Sequence, residues 1–102
     1  HISPIDILDA LFPGGSITGA PKIRAMELIG QIESIPRSVY TGAIGYFGLN
    51  GNSQFNIAIR TAIHDNGVIA YHTGCGIVAD SIPESEWEES MTKSLAFEKL
   101  CQ

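Results

Sequence analysis

GAIGYFGLNGNSQFNIAIRTAIHDNGVIAYHTGC, running from Gly42 to Cys75, decides the fold. Two Asn-Gly pairs, Asn50-Gly51 and Asn66-Gly67, divide it into apolar or alternating runs. Asn and Gly tolerate the left-handed backbone that tight hairpins need, so each pair is a strong reversal signal. Three strands are predicted, Gly42–Leu49, Gln54–His64 and Val68–Cys75, forming an antiparallel meander. In the middle strand Phe55, Ile57, Ile59 and Ile63 point one way, and Asn56, Ala58, Arg60, Ala62 and His64 the other. Arg60 would then sit between two alanines on its own face, with room beside a fixed cation.

Helices flank this stretch. Pro4 to Phe12 reads as a short helix with Ile5, Leu8, Leu11 and Phe12 on one side, stopped by Pro13-Gly14-Gly15. A second runs from about Ala20 to Glu33, where Ile23, Met26 and Ile29 with Ala25, Leu28 and Ile32 give a broad apolar face. Pro21 suits its first turn, and Pro36 ends it. The last helix starts at Ser81-Ile82-Pro83-Glu84 and reaches about Leu100; serine followed three residues later by glutamate is a capping-box pattern. The fold class is therefore α+β, an antiparallel meander with flanking helices.

Composition narrows the function. The 102 residues allow one domain at most, with 44% hydrophobic residues to form a core. A formal net charge of −5 and the lack of a basic stripe argue against nucleic acid. A small anionic substrate stays open, because a few placed cations can set the local field. Cys75 and Cys101 form neither a metal-ligand spacing nor a disulfide framework, which favours a reduced, cytoplasmic setting. No run is long enough to span a membrane and no signal-peptide pattern is present. The sequence opens at His1 rather than methionine, so a larger protein is expected.

Three places carry possible chemistry. Gly14-Gly15-Ser16-Ile17-Thr18-Gly19-Ala20-Pro21-Lys22 precedes a helix; it is either an anion cradle or simply a loop with a well-made helix start. On the last helix Glu86, Glu89 and Lys93 fall on one stripe at i, i+3 and i+7, beside a second stripe of Trp87, Met91 and Leu95. Burial of the tryptophan stripe would turn the carboxylates along a neighbouring line. The acidic stripe permits a Mg²⁺ site, since that ion takes one or two carboxylates and completes its shell with water and substrate oxygens. Taken alone, such a pattern is more often a solvated face with a Glu89–Lys93 ion pair. Gly74-Cys75-Gly76 closes the third strand, either as a bend or because something approaches the backbone. Cys75 is a possible thiol nucleophile without an evident base. His1, His64 and His72 form no recognisable triad and are assigned no chemistry.

In this order the pieces resemble the chorismate-utilising enzymes: the anthranilate synthase large component, aminodeoxychorismate synthase component I, and the isochorismate and salicylate synthases. The matching segments are Gly14–Lys22 with Ile23-Arg24-Ala25-Met26-Glu27, Tyr40–Tyr46, Ile59-Arg60-Thr61, Gly74–Ser81, and Glu86-Trp87-Glu88-Glu89 with Lys93. They cover nearly the whole chain. Phe12–Lys22 is most similar to the 4-amino-4-deoxychorismate branch. Anthranilate synthases more often carry Gly-Thr-Leu-Ser or Gly-Thr-Val-Ser there.

The resemblance implies part of a layered β/α/α/β sandwich, with residues 1–102 as the C-terminal portion of its catalytic domain. It implies Glu89 as a Mg²⁺ ligand, with Glu86 as a direct or water-mediated partner. Arg60 and Tyr40 would hold the carboxylate of chorismate's enolpyruvyl arm. Lys93 and the backbone N–H groups near Gly74 and Gly76 would bind the ring carboxylate and its metal, with Ser16 placing a hydroxyl against the substrate. Ammonia would come from a glutamine amidotransferase subunit or domain, and the product would be 4-amino-4-deoxychorismate on the route to p-aminobenzoate and folate. The alternatives are anthranilate synthase component I, in tryptophan biosynthesis, and a non-catalytic anion-binding relic of the scaffold. Family members also use an upstream glutamate on the metal and an upstream lysine as nucleophile, within Pro-Ile-Lys-Gly-Thr in the aminodeoxychorismate branch. Neither segment is in this chain, so the catalytic residue is unassigned and the chain alone is expected to be inactive.

Overall fold

The computed structural model describes residues 2–102, and His1 lies outside the described residues. The chain divides into two units, His1–Ala58 and Ile59–Gln102.

The first unit holds three helical segments and one hairpin. Helix α1, Pro4–Leu11, starts on a capping box: the Ser3 side chain accepts from the Asp6 N–H, and the Asp6 carboxylate accepts from the Ser3 N–H at 2.8 Å. Two of the orphan donors at the helix start are satisfied this way. The expected second helix is instead two pieces. Gly15–Thr18 makes a single turn, α2, and Lys22–Ile32 makes α3, with Pro21 as its N-cap rather than inside its first turn. Gly19 separates them at φ +119, a conformation that glycine alone adopts readily.

Strands β1, Ala43–Phe47, and β2, Ser53–Ile57, pair antiparallel with Gly45 opposite Phe55. The turn between them is closed by the Gly51 N–H donating to the Gly48 carbonyl at 3.0 Å, with Gly51 left-handed at φ +87. That is a three-residue hairpin loop rather than a two-residue one. Beyond the strand ends, the Thr41 N–H donates to the Ala58 carbonyl and the Ala58 N–H to the Gly42 carbonyl, each at 2.9 Å. Thr41 and Ala58 are the buried residues of the described chain.

In the second unit β3, Ala62–Asp65, pairs antiparallel with β4, Val68–Tyr71, across Asn66-Gly67. Both turn residues are left-handed, φ +49 and +80, as a two-residue hairpin requires. Helix α4, Pro83–Glu98, follows. The α+β class holds, but the three-stranded meander is corrected to two separate two-stranded sheets. The predicted long middle strand breaks at residues 58–61, where Arg60 turns to φ +51. A left-handed residue interrupts the regular extended backbone, and Ile59–Thr61 link two hairpins instead of joining three strands. The third strand is also shorter than expected: pairing stops at Tyr71, and residues 72–78 run without a ladder partner.

Candidate functional site

The last helix and the segment after β4 gather most of the sequence-predicted groups. Glu86, Ser90, Ser94 and Phe97 form the half-buried line of α4. Phe97 stacks on Tyr71, ring centroids 4.3 Å apart and planes 12° from parallel. Two turns earlier, the Thr73 and Ser90 hydroxyls lie 3.2 Å apart. Earlier again, the Cys75 thiol donates to the Glu86 backbone carbonyl at 3.2 Å. Alternate residues Tyr71, Thr73 and Cys75 thus meet Phe97, Ser90 and Glu86, seven and then four residues apart on one face of the helix.

This docking reverses the expectation for the tryptophan stripe. Trp87, Met91 and Leu95 are 67, 43 and 48% exposed. The facing segment offers a hydroxyl, a thiol and one aromatic ring, which suit the Glu86–Phe97 line, whereas the tryptophan stripe has no apolar layer to meet among the described residues.

Lys93 is the centre of the polar cluster. Its Nζ lies 2.6 Å from Glu89 Oε1 and donates to the Gly74 carbonyl at 3.0 Å. The i, i+4 ion pair is therefore formed, but both side chains are over one-third exposed, so it adds only about 0.3–0.5 kcal/mol to stability. What it does is hold a cation against the backbone of Gly74 beside two carboxylates. Nothing lies within 4 Å of where a Cβ on Gly76 would stand, so no contact inside the described chain demands a glycine there.

Glu86 is held more tightly than its place in the first helical turn requires. Ser81 Oγ donates to Glu86 Oε1 at 2.6 Å while accepting from the Val78 N–H at 3.0 Å. The Ser81 hydrogen bond, then one involving Cys75, and more weakly the Lys93 charge, hold the Glu86 carboxyl below its ordinary range, fully ionised at neutral pH. Hydrogen bonding to Glu86, then burial, then the Glu86 and Glu89 charges push the Cys75 thiol up against the weaker pull of Lys93. A thiol so placed stays protonated near neutrality and is a poor nucleophile. The expected capping box at Ser81–Glu84 is not formed. Ile82, whose side chain has no polar atom, occupies the N-cap, and the Ser81 hydroxyl one residue earlier is engaged by Glu86.

Arg60 differs from expectation as well. It lies in the link between the hairpins, exposed, rather than mid-strand between two alanines, and makes no ion pair among the described residues. Ser16 and Tyr40 belong to the first unit. Ser16 is exposed on the single turn α2, where Thr18 Oγ1 donates back to the Gly14 carbonyl at 3.1 Å. Tyr40 is half-buried in the turn before β1, its ring 5.7 Å beneath the Arg37 guanidinium. Arg37 is in turn forked onto Glu33, which raises its already high pKa further. A cleft of about 360 Å³ lies in this unit, lined by Met26, Ile29, Ile35, Pro36, Arg37 and Thr41 among others; neither Ser16 nor Tyr40 lines it. The structure therefore brings together Glu86, Glu89, Lys93 and Gly74, while Ser16 and Tyr40 fall in a separate unit.

Sequence reading missed Ser81, Ser90, Thr73 and the Cys75 tether. The spacing of Ser81 pointed to a cap with Glu84 rather than to Glu86. Among the described residues no three His, Cys, Asp or Glu side chains gather closely enough to hold a metal by themselves. No helix among the described residues is long and apolar enough to cross a membrane.

Comparison with known proteins gives a consistent picture. Residues 1–99 match the family model described as chorismate binding enzyme. The chain is 48% identical over 98 residues to aminodeoxychorismate synthase component 1 of Bacillus subtilis, covering 96% of this chain and 21% of the relative. It is 52% identical over 95 residues to anthranilate synthase component 1 of Pseudomonas aeruginosa, covering 93% of this chain and 19% of the relative. Anthranilate synthase component 1 of Bacillus subtilis is 50% identical over 98 residues, with 96 and 19% covered. The chain spans about a fifth of the length of the curated relatives it matches.

Proposed function

The chain belongs to the chorismate-binding enzymes, and from that premise we propose that it carries one side of a chorismate site used for Mg²⁺-dependent amination to 4-amino-4-deoxychorismate. The observation that supports this most is the node at Lys93, where an ammonium bridges Glu89 and the Gly74 carbonyl beside the Glu86 carboxylate. Chorismate is a dicarboxylate. In a chain of net charge −5, local cations must offset the field before it can bind.

Lys93, with the backbone N–H groups around Gly74 and Gly76, would take the ring carboxylate; the open space at Gly76 lets a ligand approach the chain there. Arg60 would grip the enolpyruvyl carboxylate as a bidentate fork. The family resemblance implies Tyr40 and Ser16 as further substrate contacts. Glu89 and Glu86 would hold Mg²⁺. The donor chemistry fits: two carboxylates are the usual protein share of a Mg²⁺ shell, and the absence of a third donor among the described residues leaves places for water and substrate oxygens. When bound, the ion supplies Lewis-acid polarisation of the substrate toward loss of its 4-hydroxyl. Ammonia would come from a glutamine amidotransferase subunit or domain, and the remaining site groups from the rest of the catalytic domain.

Anthranilate synthase activity is the second reading, because relatives of both names match at 48 and 52% identity. The Ser16-Ile17-Thr18-Gly19 form of the glycine-rich segment favours the aminodeoxychorismate branch. Product analysis of the whole protein with chorismate and ammonia separates the two. Pyruvate release with anthranilate formation would overturn the first reading, and no consumption of chorismate would overturn both.

A further inference from the structure

We propose that Ser81 is a positioning residue that presents the Glu86 carboxylate, with Cys75 fixing the backbone of the same residue. The inference rests on the reading of Glu86 as a metal-binding carboxylate.

Glu86 is tethered at both ends. Its backbone carbonyl accepts from Cys75 Sγ at 3.2 Å, and its Oε1 accepts from Ser81 Oγ at 2.6 Å. Ser81 itself is fixed, since its hydroxyl accepts from the Val78 N–H and its own N–H donates to the Val78 carbonyl, both at 3.0 Å. A carboxylate on the first turn of a helix would ordinarily rotate through several rotamers in solvent. This one is half-buried and bound by a charge-assisted hydrogen bond from a turn that is itself closed.

The local sequence makes the arrangement informative. Ser81 and Glu84 have capping-box spacing, and a serine cap stabilises a helix. The cap is not formed, and the N-cap of α4 is Ile82, which makes no side-chain bond. The hydroxyl best placed to satisfy the helix start serves Glu86 instead. A hydroxyl that orients a ligating carboxylate removes rotamer freedom before the metal arrives, so less is lost on binding.

Mn²⁺, which takes the same oxygen donors and is read by electron paramagnetic resonance, is the probe, titrated into the whole protein. Ser81→Ala should weaken Mn²⁺ binding about tenfold. Ser81→Thr, which keeps the hydroxyl, should stay within about twofold of the parent, the retained donor being what matters. On a Glu86→Ala background, Ser81→Ala should cause no further loss, because the serine acts through that carboxylate. Parent-like affinity in Ser81→Ala, or an additional loss in the double variant, overturns the inference. Should Ser81→Ala prove too unstable to titrate, Ser81→Val, which is close in shape to Ser81→Thr but has no donor, poses the same question, and parent-like affinity there is equally fatal. If Glu86→Ala and Glu89→Ala both bind Mn²⁺ like the parent, the metal reading of the site fails and takes this inference with it. If those two lose the ion while Ser81→Ala keeps it, this inference fails alone.

Discussion

Arg60 holds a left-handed backbone at φ +51, where a residue with a Cβ is strained by roughly 1 kcal/mol or more. It lies in a link that breaks a strand pattern, is exposed, and has no ionic partner to compensate among the described residues. That combination suits a cation waiting for an external anion, and two substitutions separate strain from binding. In the whole protein Arg60→Ala should remove on the order of 2–4 kcal/mol of transition-state stabilisation, read as a large fall in kcat/KM for chorismate. Arg60→Gly should lose the same activity while being about 0.5–1 kcal/mol more stable than Arg60→Ala in a denaturant titration, because glycine accepts the left-handed region. Kinetics unchanged in both would remove Arg60 from the site. At Glu89 the expected outcome is different in kind: Glu89→Gln should abolish the Mg²⁺ dependence of the rate, whereas a merely solvated glutamate would change stability by no more than ~0.5 kcal/mol and leave the rate alone. The types of these residues were legible in the sequence, and so was the Glu89–Lys93 pairing, since i, i+4 spacing fixes it. The backbone state of Arg60 was not, because its alternating neighbours Ala58 and Ala62 read as an uninterrupted strand.

The two hairpins show which elements local sequence dictates. Both Asn-Gly reversals are where the pattern places them, since a left-handed turn is a property of the turn residues themselves. The break between the hairpins and the direction in which α4 faces were not readable from spacing, and Ser81 engages its neighbours Val78 and Glu86 where the spacing pointed to Glu84. Within β1–β2, Gly45 faces Phe55, and a Cβ there would overlap the Gln54 carbonyl and the Phe55 backbone. Gly45→Ala should therefore destabilise the protein by roughly 1–3 kcal/mol, measured as a lower denaturant midpoint, while Gly51→Ala has open space and meets only its positive φ. Equal costs at both positions would deny the close approach. Helix α1 gives a pH prediction. The Ser3 backbone N–H and then its hydroxyl hold the Asp6 carboxyl below its ordinary range. A carboxyl whose folded pKa is depressed contributes stability that is complete above its unfolded pKa and lost as pH falls through the folded one. α1 should fray only in that acidic window, and Ser3→Ala should return the Asp6 titration, followed by carboxyl NMR, toward the ordinary range.

Across the described chain burial is confined to Thr41 and Ala58, while large apolar side chains on both units lie open: Ile23 is 77%, Trp87 67% and Leu100 84% exposed. Ordering a backbone costs about 1–2 kcal/mol per residue, and the main compensation is apolar burial at about 1.5–3 kcal/mol for each large side chain fully covered. With most of those side chains uncovered, hairpin ladders and exposed ion pairs cannot close the difference. We propose that the open faces pack against the rest of a chorismate-binding catalytic domain, with the tryptophan stripe of α4 and the Ile23 side of α3 as two of them. Both stripes were visible as helical periodicities, but periodicity states only that a face is apolar, not which neighbour covers it. The 102 residues alone should then show no cooperative thermal transition by circular dichroism, should enhance the fluorescence of a hydrophobic dye, and should not convert chorismate. A sharp unfolding transition with little dye binding would mean that these apolar faces need no partner. Ammonia-dependent turnover by the same chain would mean that Lys93, Glu89 and Arg60 make a complete site by themselves.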